Sequence, residues 1–169
     1  KTNAMKKIIL LLILLTTNYF TSFAQETVVY PSEYGEFEFS LWSKIVLEIK
    51  EVDNKKLEYR ILSYDEYTTP YSFENRIDLF SLRPKENTIE IYFIGAFYND
   101  GNDDSDWKTV LKIKNNLKKP IKYKADIMYY FNNEFENTSV VGAFPGTETS
   151  EVWAHKIDDI ILYDFEYMD

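Results

Sequence analysis

The acidic segment at residues 99–106, NDGNDDSD, is the one stretch of the chain whose residue types and spacing suit a metal ion. Calcium takes roughly six to eight hard oxygen ligands, which a flexible loop can gather. The candidate ligands are Asp100, Asn102, Asp104 and Asp106. The first three stand at the first, third and fifth positions of an EF-hand-like spacing, but Ser105 and Leu111 replace its glycine and bidentate glutamate. The alternative is a solvated hairpin tip, because Asn, Asp and Gly favour turns.

A second candidate is an aromatic contact surface in the predicted loop at residues 64–73. Tyrosine and tryptophan supply rigid amphipathic area that suits a sugar or a protein partner. The candidate contact residues are Tyr64, Tyr67, Tyr71 and Trp107. The alternative is that these side chains fold back over the edge of the sheet and become buried.

No pattern of residues predicts catalysis. His155 is the only histidine, and no serine stands in a Gly-x-Ser-x-Gly elbow that would use it as a base. A pair of carboxylates for glycoside hydrolysis cannot be selected among 28 acidic residues, because the required separation is a property of the fold. We therefore predict no catalytic residue, and calcium is the only candidate cofactor.

Charge and cysteine content exclude several classes of function. Three of the 19 basic residues lie in residues 1–24, so 16 remain against 28 acidic ones, a formal charge of about −12. Such a charge repels phosphate backbones and argues against nucleic acid as a partner. The absence of cysteine excludes disulfides, a thiol nucleophile and thiolate metal sites.

The N terminus has the three parts of a secretory signal peptide. Lysines precede an apolar run at residues 8–15, and small residues stand at Ser22 and Ala24. Eight apolar residues at about 1.5 Å each cannot cross a membrane core of about 30 Å, which favours a cleaved leader over an anchor. We predict that residues 1–24 comprise four preliminary residues and the leader. The mature domain, 25–169, is then periplasmic or extracellular and has no membrane span.

The mature chain alternates apolar and polar residues every second position, which is the pattern of a strand with one buried face. Clear strands are predicted at residues 44–50, 57–61, 88–98, 107–115, 121–131 and 160–168, and weaker ones at 27–30, 36–41, 139–143 and 150–154. Residues 88–98 become apolar on both faces, as in a central strand. Gly95 within them predicts a bulge or the close approach of another backbone.

The same alternation predicts which side chains point toward the core and which point toward solvent. Leu111 and Ile113 are predicted to point inward and Lys112 outward, and the inward set of the last strand is Ile161, Tyr163, Phe165 and Tyr167. At most one or two helical turns are expected, at residues 75–82. Eight or nine short strands predict an all-β, two-layer antiparallel sandwich of the immunoglobulin-like type.

The segment at residues 109–127, TVLKIKNNLKKPIKYKADI, resembles the strand, asparagine turn and proline-led strand of bacterial immunoglobulin-like and fibronectin-like domains on exported proteins. The resemblance covers a small part of the chain and implies a fold, with little about activity.

Three functions remain open from the sequence. The favoured one is a non-enzymatic exported protein that binds a protein partner through sheet edges or loops. A carbohydrate-binding module with stacking aromatic residues is the first alternative. A glycoside hydrolase that uses two carboxylates is the second.

Overall fold

The computed structural model describes residues 33–169. The predicted leader at residues 1–24, its cleavage site and the predicted strand at 27–30 lie outside these residues. The described chain forms ten strands: β1 (Phe37–Ser40), β2 (Ser43–Glu51), β3 (Leu57–Glu66), β4 (Tyr71–Ser72), β5 (Thr88–Phe97), β6 (Trp107–Asn115), β7 (Ile121–Tyr129), β8 (Glu136–Thr138), β9 (Glu148–Trp153) and β10 (Ile157–Tyr167).

These strands form two sheets, and the predicted all-β sandwich is confirmed at that level. The smaller sheet has four strands in the order β1-β10-β7-β8, and the larger has the order β3-β2-β5-β6-β9. The short strand β4 adds to the larger sheet by pairing in parallel with β5, while the other pairings are antiparallel. Among residues 33–169, no helix is long and apolar enough to span a membrane.

The main core lies between the sheets and follows the period-two pattern of the sequence. Side chains at alternate positions of β2, β5 and β6 face those of β7 and β10, as expected when one face of each strand is buried. The largest fully buried side chains of this core are Phe39, Phe93, Phe165, Ile45, Leu47, Ile89, Ile91, Leu111, Ile113, Ile121 and Ile127.

A second apolar cluster covers the outer face of the larger sheet. It contains Tyr92 and Ile94 of β5, Val110 of β6, and Tyr71 and Phe80 from the segment at residues 67–87. The prediction that β5 is buried on both faces is therefore confirmed. No helical turn forms at residues 75–82, where at most one or two were expected, because this segment crosses the sheet as irregular chain.

The same covering segment changes the environment of Lys112. Its side chain was expected to face water, yet it is only 8% exposed and its Nζ lies 4.3 Å from the ring centroid of Tyr71. The ammonium pairs with Glu148 at 3.6 Å and lies 3.5 Å from the hydroxyl of Ser150. The predicted outward direction was correct, but the outer face at this point is covered.

The predicted inward set of the last strand is wrong for its first half. Ile160 and Leu162 are fully buried, whereas Ile161 and Tyr163 are only partly buried. Asp164 has a positive φ of 51°, and the pairing of β10 with β7 shifts register between Tyr163 and Glu166. Such a bulge moves the following residue to the other face, which is why Phe165 points inward as predicted.

Two predicted boundaries also differ. The strand expected at residues 121–131 ends at Tyr129, because the chain turns at Tyr130. The strand expected at residues 139–143 is replaced by β8 at Glu136–Thr138 and by a single bridge between Ala143 and Ile121.

Candidate aromatic binding cleft

One end of the sandwich brings loops from both sheets together. Gly95 near the end of β5 pairs with Thr109 of β6, which pairs in turn with Trp153 at the end of β9. In the other sheet, Ile157 at the start of β10 pairs with Tyr129 at the end of β7. We call this region the aromatic end: it comprises residues 41–42, 98–106, 130–135 and 154–156.

Thr109 links the two sheets at this end. Its hydroxyl donates to the main-chain oxygen of His155 at 3.1 Å and accepts the main-chain N–H of Ile157 at 3.0 Å. Thr109 is almost fully buried, so both bonds lie in a low-dielectric surrounding. The positions of the loop after β9 and of the start of β10 are therefore fixed relative to β6.

A cleft of about 450 Å³ opens at the aromatic end. Its volume lies in the range of sites for small molecules, which are about 300–1,000 Å³. We call it the aromatic cleft, and the lining residues that matter below are Trp42, Gly95, Trp107, Lys108, Tyr130 and His155.

Gly95 brings two indole rings together within this cleft. A Cβ atom at this position would lie 2.4 Å and 2.8 Å from Cη2 and Cζ2 of Trp42, and 3.2 Å from Cζ3 of Trp107. Only a residue without a side chain leaves room for this approach. The sequence predicted a bulge or a neighbouring backbone at Gly95. Instead the pairing of β5 with β6 continues without a shift through this residue, and indole rings make the approach.

Trp42 is held in a backbone conformation that bulky residues avoid. Its φ is 69°, in the left-handed region, at the corner where the chain passes from β1 to β2. Neighbouring hydrogen bonds fix this corner: the Trp42 carbonyl accepts from Tyr67 N at 2.7 Å, and Leu41 N donates to Asp158 O at 2.7 Å. Unfavourable backbone conformations of this kind cost about 1–3 kcal/mol and concentrate at functional sites.

The acidic loop orients Trp107 and contains the four predicted calcium ligands. The indole Nε1 of Trp107 donates to Gly101 O at 2.7 Å. Asp106 is buried, and its carboxylate accepts main-chain N–H groups of Tyr98, Asn99 and Gly101 at 3.0–3.2 Å. Burial acts to raise the pKa of Asp106, but these N–H donors outweigh it and hold the pKa below its ordinary value.

The other acidic side chains of this loop point to separate partners. Asp100 accepts from Asn102 N at 3.0 Å, and Asp103 accepts from Ser105 N at 2.8 Å. Asp104 lies at the lining of the aromatic cleft. Within residues 33–169, no three His, Cys, Asp or Glu side chains are grouped to hold a metal ion. The calcium site stays a prediction from the sequence.

The four predicted aromatic contacts do not share one surface. Trp107 lines the aromatic cleft, and the three tyrosines do not. Tyr71 is buried in the outer cluster, and Tyr67 packs edge-on against Tyr92 with ring centroids 5.0 Å apart. Tyr64 is half-buried, and its hydroxyl accepts from Ser40 N at 2.9 Å.

Sequence reasoning missed Trp42 and Tyr130, which complete the cleft with Trp107. Tyr130 is 58% exposed, and its main-chain N–H donates to Lys156 O at 3.2 Å, which keeps the loop after β7 beside the loop after β9. Gly95 was the available signal, because a glycine in an otherwise apolar central strand indicates that something approaches it closely. Which residue approaches Gly95 could be identified only once the strand pairing was known.

The polar groups of the cleft are few. Lys108 Nζ donates to the main-chain oxygens of Ser105 at 2.6 Å and Trp107 at 3.1 Å, and it forms no ion pair with any described residue. His155 also lines the cleft and is exposed. Asp104 is the single carboxylate of the lining. This combination offers hydrogen bonds to a ligand, whereas acid-base hydrolysis of a glycoside needs a second carboxyl group.

The chain was compared with models of known protein families, with curated proteins and with solved structures. None of the three comparisons finds a match, so no family assignment follows from similarity.

Proposed function

We propose that this protein is a non-enzymatic carbohydrate-binding domain that holds one or two neutral sugar rings in the aromatic cleft. The observation that carries the proposal is the approach of both Trp42 and Trp107 to Gly95 in the lining of a cleft of about 450 Å³.

Sugar rings match the chemistry of this cleft. One face of a pyranose is formed by C–H groups that pack on an aromatic ring, while its rim carries hydroxyls that need hydrogen-bond partners. Trp42, Trp107 and Tyr130 supply aromatic surface. Lys108, His155 and Asp104 supply donors and acceptors at the margin.

Preorganisation supports the same interpretation. Before any ligand arrives, the hydrogen bond to Gly101 orients the indole of Trp107, and main-chain hydrogen bonds hold the corner that carries Trp42. A rigid aromatic platform loses little conformational entropy on binding, which matters for sugars because each contact is weak.

Charge favours neutral sugars over acidic polysaccharides. The whole chain carries a formal charge of −9, which repels polyanions at long range. Two lysines line the cleft: the ammonium of Lys156 is paired with Asp158 at 2.6 Å, and that of Lys108 donates to the main-chain oxygens of Ser105 and Trp107. The same lining contains the carboxylate of Asp104, so the local surface carries charges of both signs.

Two further features belong to the proposal. Export by the predicted leader would place the domain where glycans of the cell surface and its surroundings are available. The sandwich is proposed to be of the immunoglobulin-like type, for which the two stacked antiparallel sheets and loops gathered at their ends give support.

A protein partner is the second candidate, and one specific observation favours it. Phe131 is 63% exposed next to Tyr130, and their rings meet edge-on with centroids 5.0 Å apart. Exposed aromatic pairs are frequent anchors of protein interfaces. This candidate predicts that a pull-down from the cell envelope recovers a protein that the Y130A/F131A double variant no longer retains.

Isothermal titration of the chain with neutral disaccharides and tetrasaccharides of glucose and of N-acetylglucosamine tests the proposal. We expect binding with a dissociation constant of about 1 mM or tighter for at least one series. Trp107→Ala should weaken that binding about tenfold or more, because it removes one of the two indole rings on which a sugar would stack. Trp153→Phe is the matched control, because Trp153 lies outside the cleft lining and bonds to Thr138. Absence of heat with every sugar, for a folded chain, would contradict the proposal.

A further inference from the structure

We propose that Asp106 is a positioning residue, whose carboxylate sets the orientation of Trp107 in the aromatic cleft by way of the main chain of Gly101. The inference explains why a buried carboxylate stands beside a ligand-facing tryptophan. The effect of Asp106 on sugar affinity rests on the proposed function, whereas its effect on the orientation of Trp107 does not.

The carboxylate of Asp106 organises the whole loop between β5 and β6. Oδ1 accepts from Tyr98 N at 3.1 Å and from the side-chain amide of Asn99 at 3.1 Å. Oδ2 accepts from Asn99 N at 3.0 Å and from Gly101 N at 3.1 Å. Both oxygens are therefore occupied by donors that belong to the first residues of the loop, and the residue is only 8% exposed.

Gly101 transmits this arrangement to the indole. Its N–H is bound by Asp106, and its carbonyl accepts the Nε1–H of Trp107 at 2.7 Å. Gly101 has a φ of 73°, and a Cβ there would lie 3.2 Å from the ring of Phe97 and 3.3 Å from that of Trp107. The peptide at this position thus lies against the indole, and its orientation depends on the carboxylate that holds its N–H.

Asp106→Asn is the sharpest substitution, because it keeps the shape of the side chain and removes its charge. One of the two acceptor oxygens becomes an amide NH₂, which faces an N–H donor that it cannot satisfy. Asp103 provides the matched control in the same loop. Its carboxylate caps the short turn at Asp104–Asp106 through Ser105 N, and makes no hydrogen bond to Gly101 or Trp107 within residues 33–169.

The test measures solvent exchange of the indole N–H groups by nuclear magnetic resonance, without any ligand. The indole N–H of Trp153, bonded to Thr138 Oγ1 at 3.3 Å, is an internal reference in the same spectrum. In Asp106→Asn the indole N–H of Trp107 should exchange about tenfold faster, since its acceptor is no longer held, while that of Trp153 stays unchanged. Asp103→Asn should change neither. A folded Asp106→Asn protein in which the Trp107 N–H stays protected would overturn the inference.

Wild-type protein gives a second measurement that does not depend on the variant folding. In wild-type protein the indole N–H of Trp107, bonded to Gly101 O at 2.7 Å, should exchange more slowly than that of Trp153, whose bond to Thr138 Oγ1 is 3.3 Å long. A Trp107 N–H that exchanges as fast as a free indole would overturn the inference. In sugar titrations Asp106→Asn should lose about tenfold in affinity if the proposed function is correct. If wild-type protein binds no sugar, the proposed function fails, while the exchange data still decide the positioning role.

Discussion

Gly95→Ala tests whether the two indole rings depend on the missing side chain of β5. The new Cβ would lie 2.4 Å and 2.8 Å from atoms of the Trp42 ring, where ordinary contacts are 3.4–4 Å. The ring must therefore withdraw by about 1 Å, because β5 is paired on both sides with β2 and β6 and cannot move away. The backbone of Trp42 is held by hydrogen bonds, so the adjustment must come from its side chain.

The expected cost follows from overpacking. An added methyl group in a well-packed region typically costs about 1–3 kcal/mol, and replacing glycine recovers about 0.4–1 kcal/mol through the unfolded chain. We expect a net loss of about 1–2 kcal/mol in the free energy of unfolding, measured by urea denaturation. The tryptophan emission should also shift, because Trp42 is displaced. Sugar affinity should fall about tenfold or more.

Gly35→Ala is the control for this experiment. A Cβ at Gly35 would meet only the ring of Phe37, at 3.7 Å and 3.9 Å, and its φ lies outside the left-handed region. Its free energy of unfolding should stay within about 0.5 kcal/mol of wild type. The reasoning is refuted if Gly95→Ala matches this control in both stability and tryptophan emission.

Three further predictions concern buried polar groups. Glu148→Gln should lower the free energy of unfolding by about 1 kcal/mol or more, because Lys112 then stays buried without its charge partner. Lys112→Met should be near neutral, because it removes the buried charge itself. Equal losses of the two variants in urea denaturation would contradict this expectation. Tyr123→Phe should be neutral or stabilising by up to about 1 kcal/mol, because the buried hydroxyl has no partner within residues 33–169; a marked drop in melting temperature would show that it has one. Burial raises the pKa of Glu151 above its ordinary value of 4.5. The folded chain therefore binds the carboxyl proton of Glu151 more tightly than the unfolded chain does, and the free energy of unfolding falls as the pH rises from 4.5 through the raised pKa. Glu151→Gln should therefore have a higher melting temperature than wild type at neutral pH, and this difference should shrink below pH 4.5. A difference in melting temperature that does not change with pH would contradict the raised pKa of Glu151.

Much of the fold was predictable because alternation directly encodes which face of a strand is buried. Strands β2 and β3, the doubly buried β5 and the inward Leu111 and Ile113 all follow from it. The alternation misled in β10, because the positive φ at Asp164 creates a bulge that no residue type there announces. It also gave no sign that residues 67–87 cover Lys112, since that contact depends on the path of an irregular segment.

The candidate site was predictable only in fragments. Trp107 was selected as a contact residue, and Gly95 as a point of close approach. The partner of both, Trp42, follows a different strand, and only the pairing of β2 with β5 brings it to Gly95. Strand order is set by the packing of the whole domain, so a local pattern cannot supply it. Asp106 was read as a metal ligand by residue type, while its hydrogen bonds indicate a role inside the loop.

The most direct measurement for the whole account follows the indole N–H resonances of the three tryptophans while a neutral tetrasaccharide is added. We expect the resonances of Trp42 and Trp107 to move together and saturate, and the resonance of Trp153 to stay in place. Resonances that all remain fixed at millimolar sugar, or movement confined to Trp153, would contradict the assignment of the aromatic cleft as the binding site.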